Sequence, residues 1–170
     1  MTTPNDWITR AETDADVAAI REINNAAFDT TEEADLVDAL RADPAWIDGL
    51  SVVSETPDGK LVGHALLTRC HVDDTPALAL APCAVLPEYQ KTGAGSAAIS
   101  AALRDAEEAG EHFVIVLGHP TYYPRFGFTR ASEYDIRLSI DVPDEALMAL
   151  RLGSEPLPLG TVRYAAPFGI

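Results

Sequence analysis

Lysine is nearly missing from this chain. Lys60 and Lys91 are the only two in 170 residues, and acidic side chains outnumber basic ones 27 to 12, for a net charge of −15. Affinity for nucleic acid rests on lysine and arginine at phosphates, so this balance argues against a nucleic-acid partner and disfavours an anionic membrane surface. Long-range attraction favours a cationic partner such as an amine. A general surface adaptation, for example to high salt, accounts for the same charge equally well. Cysteine is scarce too: Cys70 and Cys83 form no C-x-x-C, which points to buried thiols and a reducing compartment. His64, His71, His112 and His119 show no metal-ligand spacing with them or with one another, so no metal is expected. No apolar run reaches the length of a membrane span, and Met1 to Asp6 lacks the basic, apolar pattern of a leader. The expectation is a cytoplasmic protein without a membrane partner. Neither G-x-G-x-x-G nor G-x-x-x-x-G-K-[ST] occurs.

What is present reads as one globular domain over residues 1–170. Hydrophobic residues make up 47% of the chain against 23% charged, enough to build a core. One stretch organises the rest. An apolar run from Leu78 to Val85 is stopped by Pro87, and a polar loop with Gly93 and Gly95 follows. A helical pattern then runs to Gly110, with Gly95, Ile99, Ala102, Leu103 and Ala106 at offsets of three and four. Strand, glycine-bearing loop and helix N-terminus, in that order, leave backbone N–H groups unpaired at the positive end of a helix dipole, which suits a phosphate or diphosphate. Lys91 lies in the loop.

Gln90-Lys91-Thr92-Gly93-Ala94-Gly95 resembles the acetyl-coenzyme-A loop of the GNAT N-acetyltransferases, whose pattern is Gln or Arg, two residues, Gly, one residue, Gly or Ala. Val85 to Tyr89 is similar to the usual lead-in. Tyr122-Tyr123-Pro124-Arg125-Phe126-Gly127-Phe128 resembles the second hallmark of that family, a tyrosine shortly before Gly-Phe, in the form found in its YhbS-like bacterial branch. The resemblance covers nearly the whole chain. It implies an α/β (α+β) GNAT fold: a central mixed, mostly antiparallel sheet with a parallel, splayed strand pair, flanked by helices. It also implies acetyl-CoA as co-substrate and transfer of its acetyl group to an amine by direct attack in a ternary complex. A homodimer is compatible with this resemblance.

Taken in order, Trp7 to Ala11 is a first strand. Thr13 to Asp16 reads as a capping box, opening a helix with Val17, Ile20, Ile23 and Ala27 on one face. A second box, Thr30 to Glu33, opens a helix with Leu36, Val37 and Leu40 inward, ending before Pro44. Leu50–Ser54 and Lys60–Val72 form a hairpin about Thr56-Pro57-Asp58-Gly59, and a further turn leads to the strand ending at Val85. Phe113–Leu117 reads as a strand covered on both faces and, after a crossover helix, paired parallel to the one before the loop. Pro82 predicts a bulge or parting of the sheet. His119 to Arg125 predicts a short helix or turn, with strands near Phe128, from Ile136 to Ile140 and at Thr161–Tyr164, and a helical segment from Pro143 through Leu150.

Acetyl transfer to an amine needs a held cofactor, an amine without its extra proton and a protonated leaving thiolate. The resemblance assigns the backbone of Lys91, Gly93, Gly95 and Ser96 to the diphosphate, with Gln90, Thr92 and Ala94 completing the loop. It gives Ala84 and Val85 to the pantetheine arm. It makes Tyr123 the acid, its phenol having an ordinary pKa of about 10; packing under the sheet is the plainer reading, and Tyr122 is the adjacent rival. For the general base, Glu33 and His64 match positions characteristic of the branch. Glu33 equally suits the cap of Thr30, His64 equally suits a hydrogen-bonded core residue, and a water relay would replace both. His119 stands where an aspartate is expected, and Arg125 reads as an ion-pair or carbonyl-binding residue. Cys83 raises a covalent acetyl-enzyme, against which stands the lack of a paired histidine. A module that binds acyl-CoA without turnover and an acyltransferase for longer thioesters remain as alternatives.

Overall fold

The computed structural model describes residues 7–170, so the N-terminal stretch read above for a leader, Met1 to Asp6, lies outside the described residues. The chain opens with β1 (Ile8–Ala11), then two helices, α1 (Val17–Phe28) and α2 (Glu32–Arg41). β2 (Ser51–Glu55), β3 (Leu61–Val72) and β4 (Thr75–Val85) follow as an antiparallel meander, as their apolar runs and turn residues require. After the polar loop come α3 (Ala94–Glu108), β5 (Phe113–Leu117), β6 (Thr129–Arg130), β7 (Ile136–Arg137), β8 (Leu147–Arg151) and β9 (Gly160–Arg163). The strands run in the order β1-β2-β3-β4-β5-β8-β6, and β9 pairs with the far end of β3 and with β7. Within that order only β4 and β5 are parallel. The mixed, mostly antiparallel architecture with one parallel pair is the one expected.

Both faces of the sheet are covered. α3 packs its alanine-rich face, with Ile99 and Leu103, onto Leu67, Leu78, Leu80, Val114 and Val116. On the opposite face α1 and α2 bring Ile20, Val37 and Leu40 onto Val53 and Leu66. Ile136 and Ala131 cover Phe113 and Ile115 on that face. α1 is pinned to β1 through Asp16, whose carboxylate accepts from both terminal nitrogens of Arg10 (2.7 and 3.0 Å) and from the Thr13 N–H (2.7 Å). The Arg10 guanidinium holds that carboxyl down at about 2. The capping box predicted there is therefore anchored by an ion pair as well.

Pro82 does what a proline inside a strand should. Ala65 pairs with Cys83 and Leu67 with Leu80, so β4 carries one residue more than β3 across this interval, a bulge. Along the other edge, β4 pairs with β5 only at Leu78–Val114 and Ala79–Ile115. Beyond Ala79 the two parallel strands part.

Three expectations need correction. The segment through Leu150 is not helical: a single 3-10 turn at Asp144–Ala146 gives way to β8, which pairs with all of β5. Leu, Met and Ala favour a helix locally, but the open edge of β5 offers a full ladder of backbone partners, and tertiary pairing wins. The strand expected from Ile136 to Ile140 stops at Arg137, where its partner β9 supplies two pairings. The box at Thr30–Glu33 does not close: the Thr30 hydroxyl accepts from the Glu32 N–H (3.2 Å), leaving Glu33 free to turn inward.

Candidate active site

The parting of β4 and β5 opens a cavity of about 810 Å3. Its walls are Cys83, Ala84 and Val85 from β4, Gln90, Lys91, Gly93, Gly95, Ser96 and Ile99 from the loop and α3, Ala27 and Phe28 from the end of α1, and His119, Thr121, Tyr122, Tyr123 and Arg125 after β5. Of the residues singled out in the sequence, this brings together Cys83, Ala84, Val85, Gln90, Lys91, Gly93, Gly95, Ser96, His119, Tyr122, Tyr123 and Arg125. Thr92, Ala94, Glu33 and His64 stand outside the lining.

The loop is built to present its backbone. Lys91 and Gly93 both take positive φ (64° and 94°), which turns successive N–H groups toward one side, and Gly93 caps α3. At Gly95 a Cβ would sit 2.8 Å from Val85 Cγ2, so only glycine lets the first helical turn close on the strand. Behind the loop, the Ser54 hydroxyl donates to the Ala94 carbonyl (2.9 Å) and the Trp7 indole donates to that of Thr92 (3.2 Å). The Gln90 amide donates to the Val85 carbonyl at 3.4 Å. Lys91 and Arg125 make no salt bridge among the described residues, whereas Arg10, Arg21, Arg41, Arg69 and Arg130 are paired. Free cations and unpaired helical N–H groups on one side of the cavity favour an anion there.

The two tyrosines diverge. Tyr122 shares a hydrogen bond with Ser96 Oγ (2.9 Å) beside the α3 N-terminus, and Arg125 lies over its ring at 4.2 Å while donating to its carbonyl (2.8 Å). Arg125 is thus the carbonyl-binding residue anticipated. Tyr123 turns instead toward β4, where its hydroxyl meets the Cys83 thiol. Burial raises the Tyr123 phenol above its ordinary range, and Cys83 and Tyr122 add to the shift, so the hydroxyl keeps its proton. Burial likewise pushes the Cys83 thiol up to about 12, against a smaller opposing effect from Tyr123. That leaves a neutral thiol with little nucleophilic form.

Gly118 was not singled out, and the structure shows why it matters. A Cβ there would lie 2.5 Å from Cε2 of Tyr123, so the ring rests on bare backbone at the end of β5. His119 is exposed, and its carbonyl accepts from the N–H groups of Tyr122 and Tyr123 (3.1 and 3.4 Å), seating the turn.

His64 and Glu33 have different settings. His64 is 1% exposed on the α1-side face of β3. Its Nδ1 faces the Asn24 amide (3.3 Å) and its Nε2 the Ser51 hydroxyl (2.9 Å). The Asn24 amide also donates to the Ile20 carbonyl (3.0 Å), so its nitrogen faces the ring and Nδ1 accepts. Nε2–H then donates to Ser51, which donates to Glu12, itself paired with Arg41 (3.0 Å). Burial, with the Arg41 charge second, pushes the imidazole down to about 3. Glu33, in the first turn of α2, has its Oε1 buried without a hydrogen-bond partner among the described residues. No group of three His, Cys, Asp or Glu among the described residues is placed to hold a metal ion, and no helix of the described residues is long and apolar enough to cross a membrane.

A parallel pair splayed at a bulge, with a backbone-lined loop and a half-buried tyrosine at the gap, defines an acyltransferase type of site. The sequence model of the Acetyltransferase (GNAT) family matches residues 17–128. The chain belongs to that family. It is 38% identical over 162 residues to the uncharacterized N-acetyltransferase YjhQ of Escherichia coli K12, covering 90% of this chain and 89% of that protein. The crystal structure of the GNAT family N-acetyltransferase YhbS from Escherichia coli in complex with CoA superimposes with a TM-score of 0.90 at 26% identity, over 100% of this chain and 96% of that one. A GNAT family acetyltransferase from Brucella melitensis in complex with acetyl-CoA gives a TM-score of 0.79 at 31% identity, over 95% and 97%. The family resemblance seen in the loop and in the Tyr-Gly-Phe motif is confirmed.

Two measurements check the geometry itself. Gly118→Ala should push the Tyr123 ring off Cys83 and cost about 1–3 kcal/mol by overpacking; a crystal structure with the ring unmoved would refute the contact. Because His64 is held neutral well below its unfolded pKa of 6.5, the stability it contributes is complete above that value. It should be lost as pH falls from about 6.5 toward 3, by up to about 1.4 kcal/mol per pH unit. Denaturant midpoints between pH 7 and 4.5 should fall more steeply in the native protein than in His64→Gln; parallel lines would contradict the burial of a neutral ring.

Proposed function

We propose that this chain moves the acetyl group of acetyl-CoA to a primary amine by direct attack within a ternary complex. The observation that carries this reading is the cavity itself: it lies at the gap between β4 and β5, with an anion-binding helix end at one wall and a half-buried, proton-holding phenol at the other. The residues present fit the cofactor. The backbone of Lys91, Gly93, Gly95 and Ser96 would hold the diphosphate, with Lys91 adding charge, and Ala84 and Val85 at the parted edge would offer main-chain groups to the pantetheine arm. Acetyl-CoA supplies an activated thioester. Tyr123 holds a proton at its Oη on the same side of the sheet as Cys83 and gives it to the departing sulfur.

Cys83 takes no covalent part, since its thiol is kept neutral by burial and no base stands beside it other than the tyrosine that also retains its proton. On the acceptor side Glu33 takes the proton of the amine, through water, with its unpartnered carboxylate oxygen. His64 is a positioning residue: neutral, with both nitrogens engaged, it backs Ala84, its partner in the β3–β4 ladder.

Changing Tyr123 to Phe tests the acid. Packing against Gly118 and acetyl-CoA affinity should survive, while kcat falls by about 10²-fold, the lower range for general acid catalysis. Tyr122→Phe, the matched control, should be nearly neutral. A single-turnover rate in Tyr123→Phe equal to that of the native protein would remove the assignment, and a large loss in Tyr122→Phe alone would move it by one residue. Gly95→Asp should abolish acetyl-CoA binding by calorimetry, because it sets a carboxylate against the diphosphate and against Val85; retained affinity in the folded variant would remove the loop from the reading.

A further inference from the structure

A second groove lies beside the cavity, on the face away from α3. It has a volume of about 370 Å3, and Leu117, Pro120, Val142, Pro143 and Glu145 are among the residues that line it. His119 lines both the groove and the cavity, so the two spaces are neighbours across that residue. Strand alternation fixes the side of the sheet. Val114 and Val116 of β5 face α3, and Phe113 and Ile115 face the other way, so Leu117 projects from the face opposite the cofactor loop. Leu117 is 41% exposed and Phe28, on the cavity wall, 38% exposed, although both are large and apolar. Apolar side chains left open around a cavity mouth mark a binding surface.

We infer that this groove receives the body of the acceptor, and that the acceptor is a primary amine carried on a small apolar group, aryl or branched alkyl. The inference rests on the acetyl-transfer reading for the cavity and adds the substrate class. Three features select that chemistry. The walls are aliphatic and proline-rich and hold no cation. The volume lies at the lower end of small-molecule sites, which suits a single ring rather than a sugar chain or a folded protein. The carboxylate of Glu145 and the net charge of −15 attract an ammonium while repelling amines that also carry a carboxylate. Approach from this face brings the nitrogen to the gap from the side opposite α3, while the apolar body stays in the groove.

The test is calorimetric binding of 2-phenylethylamine and 1,4-diaminobutane to the full chain, with and without CoA. 2-Phenylethylamine should bind at least about tenfold more tightly, the scale on which an apolar pocket discriminates. Leu117→Asp should erase the preference and Leu117→Met should keep it, with CoA affinity unchanged in both; the exposed position of Leu117 lets either variant fold. Equal affinities, a preference for the diamine, no binding of 2-phenylethylamine, or a preference that survives Leu117→Asp would each overturn the inference. Failure of the acetyl-transfer reading looks different: CoA affinity or thiol release would be absent while the amine preference and its loss in Leu117→Asp remain.

Discussion

The structure depends on one interruption of hydrogen bonding. A parallel pair in the middle of a sheet normally satisfies its backbone throughout, yet β4 and β5 pair only at Leu78–Val114 and Ala79–Ile115. Pro82 has no N–H to give, and the bulge it induces turns the rest of β4 away. Backbone polar groups at such an edge need partners, since leaving them buried and unpaired costs about as much as a lost hydrogen bond. The Gln90 amide serves the Val85 carbonyl weakly, at 3.4 Å. An extended, amide-bearing ligand is the natural occupant of what remains. At this gap Ile99 of α3 and Ala27 and Phe28 of α1, from opposite faces of the sheet, line one cavity.

Holding that gap open without loosening the fold falls to the elements around it. β3 spans twelve residues and carries β2 along its first half and β9 at its far end, so β4 is braced on one edge even where it has lost the other. The helix that faces the gap is tied from behind: Ser54 reaches the Ala94 carbonyl, and Gly63 leaves room for that approach, since a Cβ there would come within 2.3 Å of Ser54 Oγ. Tyr123 is tied from below by Gly118. The loop and the phenol are thus fixed to β2, β3 and β5, and the cavity between them keeps its shape.

Much of this was legible because the signals are local. Gln90 to Gly95 is a consecutive run whose turn, glycines and helix start act within a few residues of one another, and Pro82 announces its bulge by lacking one hydrogen. What stayed hidden acts across distance. β8 reads as helix because Leu147 to Leu150 suits one until β5 lies beside it. Gly118 has no special φ and no partner in sequence, and its role appears only when the Tyr123 ring is placed above it. Glu33 reads equally as a base and as the cap partner of Thr30, and only the turn taken by Thr30 sets the cap aside.

His64 shows how far a correct residue can sit from the role suggested for it. A histidine one strand from the thioester path invites a base, and the chain from Asn24 through His64 and Ser51 to Glu12 and Arg41 joins α1, β3, β2, the loop after β1 and α2. Such a network is costly when half satisfied and rigid when complete. Here its ring nitrogens are complete, and the imidazole is held near 3, too weak a base to compete for the proton of an aliphatic amine. Its contact with Asn24 ties β3 to α1, the helix whose end brings Ala27 and Phe28 to the cavity wall. Of the two candidate bases, Glu33 alone keeps a buried carboxylate oxygen with no hydrogen-bond partner among the described residues, and it stands outside the cavity lining.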